Sequence, residues 1–348
     1  MDETADVLIV GAGLAGLSCA RTLGEAGLSV RVLDRSRVVG GRCATKSDPS
    51  PVDFGPIFVH GDDPDFLSWV RSTGEPLVAG WPRVVRGTGL PCQPQAFDPL
   101  QTRFAVPGGL RRLSEALARG LAVELASPVE QLEWHDQGVT AVTPSGRFSG
   151  RHGVVATAFE ESRALLATLT EGPALPVVRR ADALLSSFSS LPCLTVLAEY
   201  PEAVPSPPWD VWYPEDSPGL LVVSNEGSKR SLGPGRGPSL VFQARPGWSA
   251  ERLEADAETW SRDILGAAAD LLGPWAAHPA AFRSHRWRYG RLGAADHLVR
   301  PMLLDRPGST ALWGLAGDLF DVDGGLQGAW RSGRALGLRL AEVVGSRR

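Results

Sequence analysis

The sequence predicts an α/β protein in which a Rossmann-type dinucleotide-binding domain, assembled from both ends of the chain, is interrupted by an inserted α+β domain with an antiparallel sheet. Three observations predict it. Residues 6–45 read DVLIVGAGLAGLSCARTLGEAGLSVRVLDRSRVVGGRCAT, which is an apolar run, a GxGxxG turn, a helical pattern, a second apolar run and an acid, in that order. The middle of the chain is proline-rich and carries short β-like segments at 193–200, 220–229 and 238–245. Near the end, a strand-like ALWGLAGD at 311–318 is followed by a glycine pair and a helical pattern from Gly325. The expected boundaries are 1–75, 104–160 and 286–348 for the nucleotide-binding domain, and 76–103 and 161–285 for the inserted one.

Each glycine of the first turn has its own task. Gly11 permits the tight turn, Gly13 lets backbone approach a pyrophosphate, and Gly16 lets the helix pack closely on the strand. Leu14, Ala15 and Gly16 open a helix whose unpaired N–H groups and positive dipole end suit phosphate. Asp34, followed by Arg35, lies roughly 20 residues past the glycines, where a carboxylate accepts both ribose hydroxyls. A structural βαβ turn without a ligand has the same spacing. Gly40-Gly41-Arg42 favours the nucleotide, because it supplies a second backbone segment and a guanidinium for the same diphosphate. With these residues the sequence resembles the flavoprotein class that includes monoamine and polyamine oxidases, phytoene desaturases and renalases, two-domain proteins of p-hydroxybenzoate hydroxylase-like architecture. The resemblance implies non-covalent FAD, contacted by Gly41 and Arg42.

Composition narrows the partners. A chain of 348 residues with 43% hydrophobic content can bury a substantial core, and a net charge of −4 without blocks of like charge suggests neither nucleic acid nor an anionic membrane surface. No run of about 18 apolar residues marks a membrane span, and the acidic start offers no secretory signal, so the expected location is cytoplasmic. Cys19, Cys43, Cys92 and Cys193 are too scattered for a zinc motif and too few for a disulfide framework, so no metal is expected. Cys19 reads as a small packed residue of the first helix. The expected partners are a small-molecule substrate and molecular oxygen.

Along the chain, prolines and glycines at 49–61 exclude a long helix, and the resemblance takes this segment past the flavin ring. His60 is thus either a cofactor neighbour or an ordinary surface or core histidine. Residues 65–72 suit a short helix with Phe66, Trp69 and Val70 inward, and 76–104 a small β excursion. A helix with Leu110, Leu113 and Leu117 on one face leads to a strand near 123. Further strand patterns follow at 129–132, 139–142 and 152–158. The resemblance makes Val129 a backbone contact to adenine, although an ordinary sheet residue fits equally. A helix is expected from 159 to 169, a hairpin from 220–229 and 238–245, and one helix over 250–272 capped by Ser249.

The C-terminal return completes the nucleotide site. Gly317 ends a strand, Asp318 accepts from ribityl hydroxyls or lies near the diphosphate, and Gly324-Gly325-Leu326 opens a helix toward an electron-rich group. At the flavin N1–C2=O region such a helix end stabilises the charge developed on reduction. An NAD dehydrogenase needs no such return, so the topology argues for FAD.

The ordered set GGRCATK, SNEGSKR, QARPGWSAERLEAD, SHRWRYG and AGDLFDVDGGLQGAWRSGRAL, which includes Gly328-Ala329-Trp330, resembles the renalase group across nearly the whole chain. The chain departs from that group at Lys229-Arg230, where a Gly/Pro loop is inserted, and at Pro56-Ile57-Phe58. The resemblance implies oxidation of aberrant dihydronicotinamide dinucleotides, with electrons passed to oxygen and hydrogen peroxide released. It extends the cofactor contacts to Leu326 and Ala329. Oxidation of an amine is the alternative, and an FAD-binding protein without turnover a third. Lys229, alone among lysines after Lys46, is either a partner of the flavin N5–C4a edge or an exposed loop cation. Trp287, Tyr289, Trp313 and Phe320 flank a substrate or fill the core, and Arg288 and Arg291 meet dinucleotide phosphate or form surface ion pairs.

Overall fold

The structure is a computed structural model that describes residues 4–48, 50–89, 94–169, 172–230, 237–293 and 297–346. Cys92 and most of the Gly/Pro loop after Arg230 lie outside the described residues. The chain divides into two compact units, each assembled from separate stretches. Unit 1 comprises 1–41, 113–189 and 292–348, and unit 2 comprises 42–112 and 190–291. These bounds differ from those read in the sequence: 42–75, 104–112 and 286–291 group with unit 2, and 161–189 with unit 1.

The helix Leu175–Leu185 accounts for the last difference. The proline-rich middle of the chain thus opens on a helix rather than on strands, with Pro176 in the first turn, where its missing N–H costs nothing. Val177, Val178, Ala181 and Leu185 then present one apolar face and enter the core of unit 1 beside Trp313 and Phe320.

In unit 1 the strand Ala5–Val10 is central, with parallel partners on both sides, Gly146–Val155 and Val30–Leu33. The sheet continues past Val30–Leu33 to Ala122–Glu124, and past Gly146–Val155 to the antiparallel strands Val139–Thr143 and Gln131–Trp134. Leu312–Leu315 pairs parallel to Gly146–Val155, and Met302–Asp305 antiparallel to Leu312–Leu315. Burial of Val7, Leu8, Ile9 and Val10 without alternation is what a parallel strand covered on both faces requires. The helices Leu14–Glu25 and Gly325–Ser346 pack backbone to backbone. A Cβ on Gly333 would stand 2.0 Å from Ala15 O, and Ser18 Oγ donates to Trp330 O at 2.8 Å. Cys19 is fully buried there, and burial pushes its thiol pKa up.

Unit 2 holds a six-stranded sheet in the order Ala281–Leu292, Ser190–Glu199, Ser239–Ala244, Leu220–Asn225, Val211–Trp212 and Val85–Arg86. Its second half contains the expected hairpin, Leu220–Asn225 antiparallel to Ser239–Ala244. The helix Ala257–Leu272 packs Trp260, Ile264, Leu265 and Ala268 against Leu194, Val196, Leu220 and Phe242. The single helix expected over 250–272 is two, Pro246–Glu251 and Ala257–Leu272. Asp256 caps the second by accepting from Thr259 N at 3.0 Å. Ser249, the expected cap, is buried and accepts from Leu194 N at 3.1 Å instead. A smaller sheet of Val59–Gly61, Thr102–Ala105 and Val78–Ala79, and the pair Thr45–Lys46 with Val52–Asp53, leave no helix at 50–61 and supply the β excursion beyond it. The helix Pro64–Ser72 is capped by Asp63 and buries Phe66, Leu67 and Val70, so Leu67 takes the inward place expected for Trp69.

Candidate active site

The glycine turn of unit 1 forms a floor of bare backbone. Gly11 has φ +109°, and a Cβ on it would stand 2.6 Å from Ala156 O; on Gly16 it would stand 1.9 Å from Gly11 O. Both are close approaches that only glycine allows. Gly13 differs: its φ is −75°, and a Cβ there would meet no atom within 4 Å. Open space therefore lies over the turn, at the head of the helix Leu14–Glu25, whose first turn receives no side-chain cap. Gly40 bridges to Gly13, and a Cβ on Gly41 would meet Gly13 Cα at 3.3 Å, so the two glycine segments share this floor.

Asp34 closes one side. Its Oδ2 accepts from Ala12 N at 2.6 Å and its Oδ1 from Ser36 N at 2.7 Å, which fixes the carboxylate and leaves lone pairs for hydroxyl donors. Arg35 pairs instead with Glu161 at 2.7 Å, its side chain 67% exposed. Val129 is partly buried against the core of unit 1, and the nearby Ser127 N donates to Asp34 O at 2.8 Å. At the C-terminal return, Gly317 N donates to Ser332 Oγ at 3.2 Å, and Asp318 opens the short turn Asp318–Phe320. Gly324 and Gly325 have φ of +59° and +57°, which places the start of the long helix in the left-handed region that glycine favours. Leu326 is buried in its first turn, and Ala329 lies one turn further on. Trp313 and Phe320, candidate substrate flanks, are core residues at 0% and 2% exposure.

Unit 2 contributes a pocket lined by Arg42, Ile57, Phe58, Tyr213, Gln243, Trp287 and Arg291, with Cys193 and the glycines 55 and 290. Trp287 sits here because its strand faces Phe54: the rings stack at 5.4 Å, and Trp287 Nε1 donates to Phe54 O at 2.9 Å. Gln243 Nε2 donates to Gly55 O at 2.6 Å, which turns Oε1 to accept from Arg291 Nη2 at 3.2 Å. The described lining carries two guanidiniums, three aromatic rings and no carboxylate. His60 is not part of it; its Nδ1 lies 3.2 Å from Gln101 Oε1. Arg288 is exposed and pairs with Glu254 at 2.6 Å, so of the two arginines considered only Arg291 faces the pocket.

Lys229 is neither an exposed loop cation nor a pocket residue. It is 1% exposed, and its Nζ lies 2.6 Å from Glu226 Oε1 and 3.1 Å from Asp53 Oδ2, over the Trp81 ring at 4.7 Å. Those contacts, two ion pairs and one ring face, all lie inside unit 2. Asp53 Oδ1 accepts from Thr45 Oγ1 at 2.7 Å and Leu110 N at 2.9 Å; Asp53 N donates to Glu226 Oε2 at 3.0 Å. Arg230 joins through Glu226 O and ties Pro107 O. Burial raises the Asp53 carboxyl above its ordinary range, against the pull of Lys229. Burial acts the same way on Glu226, but the Lys229 ammonium and Arg230 guanidinium hold it below. Sequence reasoning missed this cluster. Glu226 stands three residues from Lys229 and could have been found from that spacing; Asp53, 176 positions away, could not.

Behind Phe54, His285 packs at 4.8 Å and Trp287 at 4.2 Å from it in turn. Burial, and then the Lys46 ammonium, lower the His285 pKa from 6.5 to about 4. A folded pKa below the unfolded one means that this imidazole's contribution is complete above pH 6.5 and lost as pH falls toward 4. Unit 2 should lose stability across that window, by less than the full shift would give because solvent reaches part of the ring. Replacing His285 by Phe should flatten the loss in unfolding midpoints measured from pH 7 to 4, and an unchanged profile would refute the assignment.

A family model described as flavin-containing amine oxidoreductase matches residues 84–335. The chain belongs to that family. A second model, NAD(P)-binding Rossmann-like domain, matches residues 9–73. Putrescine oxidase of Kocuria rosea is 32% identical over 128 residues, 35% of this chain and 26% of its own length. A probable polyamine oxidase of Arabidopsis thaliana is 43% identical over 56 residues, 16% of this chain and 11% of its own. The matched stretches thus span about a quarter or less of these relatives. Solved structures share the fold across almost the whole chain. Cyclohexylamine oxidase from Brevibacterium oxydans superposes with a TM-score of 0.71 at 15% identity, covering 99% of this chain and 100% of that one. A putative protoporphyrinogen oxidase from Exiguobacterium gives 0.73 at 14%, covering 97% and 98%.

Membership of the flavin-containing amine oxidoreductases carries the family's cofactor, FAD, and its class, oxidoreductase. The residues present fit that cofactor: open backbone at Gly13, a fixed acid at Asp34 and a glycine-opened helix at Gly325 are what a dinucleotide with an electron-rich ring needs. Among the described residues no His/Cys/Asp/Glu cluster has metal-binding form, and no helix is long and apolar enough to cross a membrane.

Proposed function

We propose that this protein is a renalase-like oxidase of dihydronicotinamide dinucleotides. FAD held in unit 1 would supply the acceptor for the substrate's hydride, with molecular oxygen taking the electron pair and protons to give hydrogen peroxide. The observation that carries the reading is the lining of the unit 2 pocket, where Arg291 stands with no carboxylate among the described residues, Arg42 being kept in this reading for the cofactor diphosphate. A guanidinium suits a phosphate-bearing substrate and repels a cationic one. Gln243, held by Gly55 O, aims the Arg291 fork, while Tyr213, Phe58 and Trp287 offer apolar faces to a flat ring and exclude water. Hydride departure from a dihydropyridine needs no protein base, in accord with a described lining that holds no histidine or acid. In this reading unit 1 holds the cofactor through Gly11, Gly13, Gly16, Asp34, Gly41, Gly317 and Gly325, and unit 2 recognises the substrate.

Oxidation of an amine is the second reading, favoured by the family and by the aromatic lining. A diamine would require a carboxylate for its distal ammonium, which the described lining does not provide. The readings separate in an anaerobic reduction screen. Dihydronicotinamide dinucleotide isomers should bleach the flavin, and air should restore the colour with release of peroxide. Bleaching by benzylamine or putrescine and not by dihydronicotinamides would reverse the choice. Arg291→Gln should raise KM for the dinucleotide by roughly 10- to 100-fold, the value of a charge-assisted hydrogen bond, with kcat changed little; steady-state kinetics will check it.

A further inference from the structure

We infer that Lys229, with Asp53 and Glu226, is a positioning device for the substrate pocket, acting through the segment that forms the pocket wall. The inference rests on the reading that this pocket takes the substrate. Two chains of contact lead from the ammonium to the lining, both inside unit 2. The first passes through Asp53, whose side chain is anchored by Lys229 Nζ, Thr45 Oγ1 and Leu110 N, and whose N–H is held by Glu226. The next two residues, Phe54 and Gly55, offer the carbonyls that set Trp287 and Gln243, and Gln243 sets Arg291. The second passes through Trp81, which carries Lys229 on its face and meets Phe58 edge-on at 5.9 Å.

A buried ion triad is a costly way to brace a wall, and apolar residues of like volume could fill the space more cheaply. What the charges add is direction. Three hydrogen bonds on Asp53 and a carboxylate on its own N–H leave that residue one orientation, and the peptide planes after it inherit the constraint. Lys229 is therefore a positioning residue, which touches none of the pocket's space itself.

The test uses the FAD-loaded enzyme, well below its unfolding midpoint. K229M should raise KM for the dihydronicotinamide roughly tenfold, with kcat within about threefold of the parent and an unchanged visible flavin spectrum. The K229M and Q243L effects on KM should be less than additive, because both release the same guanidinium. An unchanged KM, fully additive effects, or a fall in kcat at constant KM would each overturn the inference. A second readout needs no turnover. In a crystal structure of K229M, the Gln243–Gly55 and Trp287–Phe54 hydrogen bonds, 2.6 and 2.9 Å in the parent, should open beyond about 3.5 Å; both intact would overturn it. If no dihydronicotinamide reduces the parent flavin, the proposed activity fails while the crystallographic result still decides the positioning role. Should K229M not accumulate as holoenzyme, D53N/K229M, which removes one charge of each sign, takes its place in both measurements.

Discussion

Replacing Lys229 by methionine is expected to destabilise unit 2 by about 3–5 kcal/mol, the cost of leaving buried carboxylates without their counter-charge. The Lys229, Asp53 and Glu226 side chains are all fully buried, so solvent cannot screen the two acids once the ammonium is gone. Arg230 still faces Glu226 at 3.3 Å and acts on Asp53 through space, but Lys229 is the cation bonded to Asp53 among the described contacts. For a unit of this size the unfolding midpoint should fall by roughly 6–20 °C in a thermal melt. D53N/K229M should recover more than half of that loss, since neutral groups pay far less to stay buried. A midpoint unchanged in K229M would mean that the ammonium is not neutralising those acids.

Substitutions in the glycine turn should split into two kinds. Gly16→Ala places a Cβ 1.9 Å from Gly11 O, against backbone that cannot yield, so both the fold of unit 1 and the yellow colour should be lost. Gly13→Ala meets nothing within 4 Å and needs no unusual φ, so the apoprotein should melt within about 1 kcal/mol of the parent. Its flavin content after dialysis against excess FAD should nonetheless collapse, because the added methyl occupies the space that a diphosphate needs. Gly24→Ala, equally open within the same helix, is the control and should retain flavin. Full flavin in Gly13→Ala would place the cofactor elsewhere.

How much was legible follows from how local each signal is. The βαβ unit was readable because Gly11, Gly13 and Gly16 act within one turn and Asp34 follows at a set interval. The hairpin of Leu220–Asn225 and Ser239–Ala244 was readable from two apolar runs flanking a Gly/Pro stretch. The helix Leu175–Leu185 was not, because prolines 173 and 176 masked an apolar period that starts beside them. Ser249 and Asp256 are both good caps by type, and only Leu194 N, supplied by a distant strand, decides between them. Lys229 shows the same limit at the site. Its rarity makes it conspicuous, but Asp53 reaches it only through the folded sheet, so the sequence offers a flavin partner or an exposed loop cation and not the buried triad.

The chain passes between the two units four times, at 41/42, 112/113, 189/190 and 291/292. During synthesis the glycine turn and its helix emerge long before the helix Gly325–Ser346, whose Gly333 and Trp330 pack on Ala15 and Ser18. A ribosome must therefore deliver the helix Gly325–Ser346 before the first helix of the nucleotide cradle can be covered, and until then an apolar helix face waits in solution.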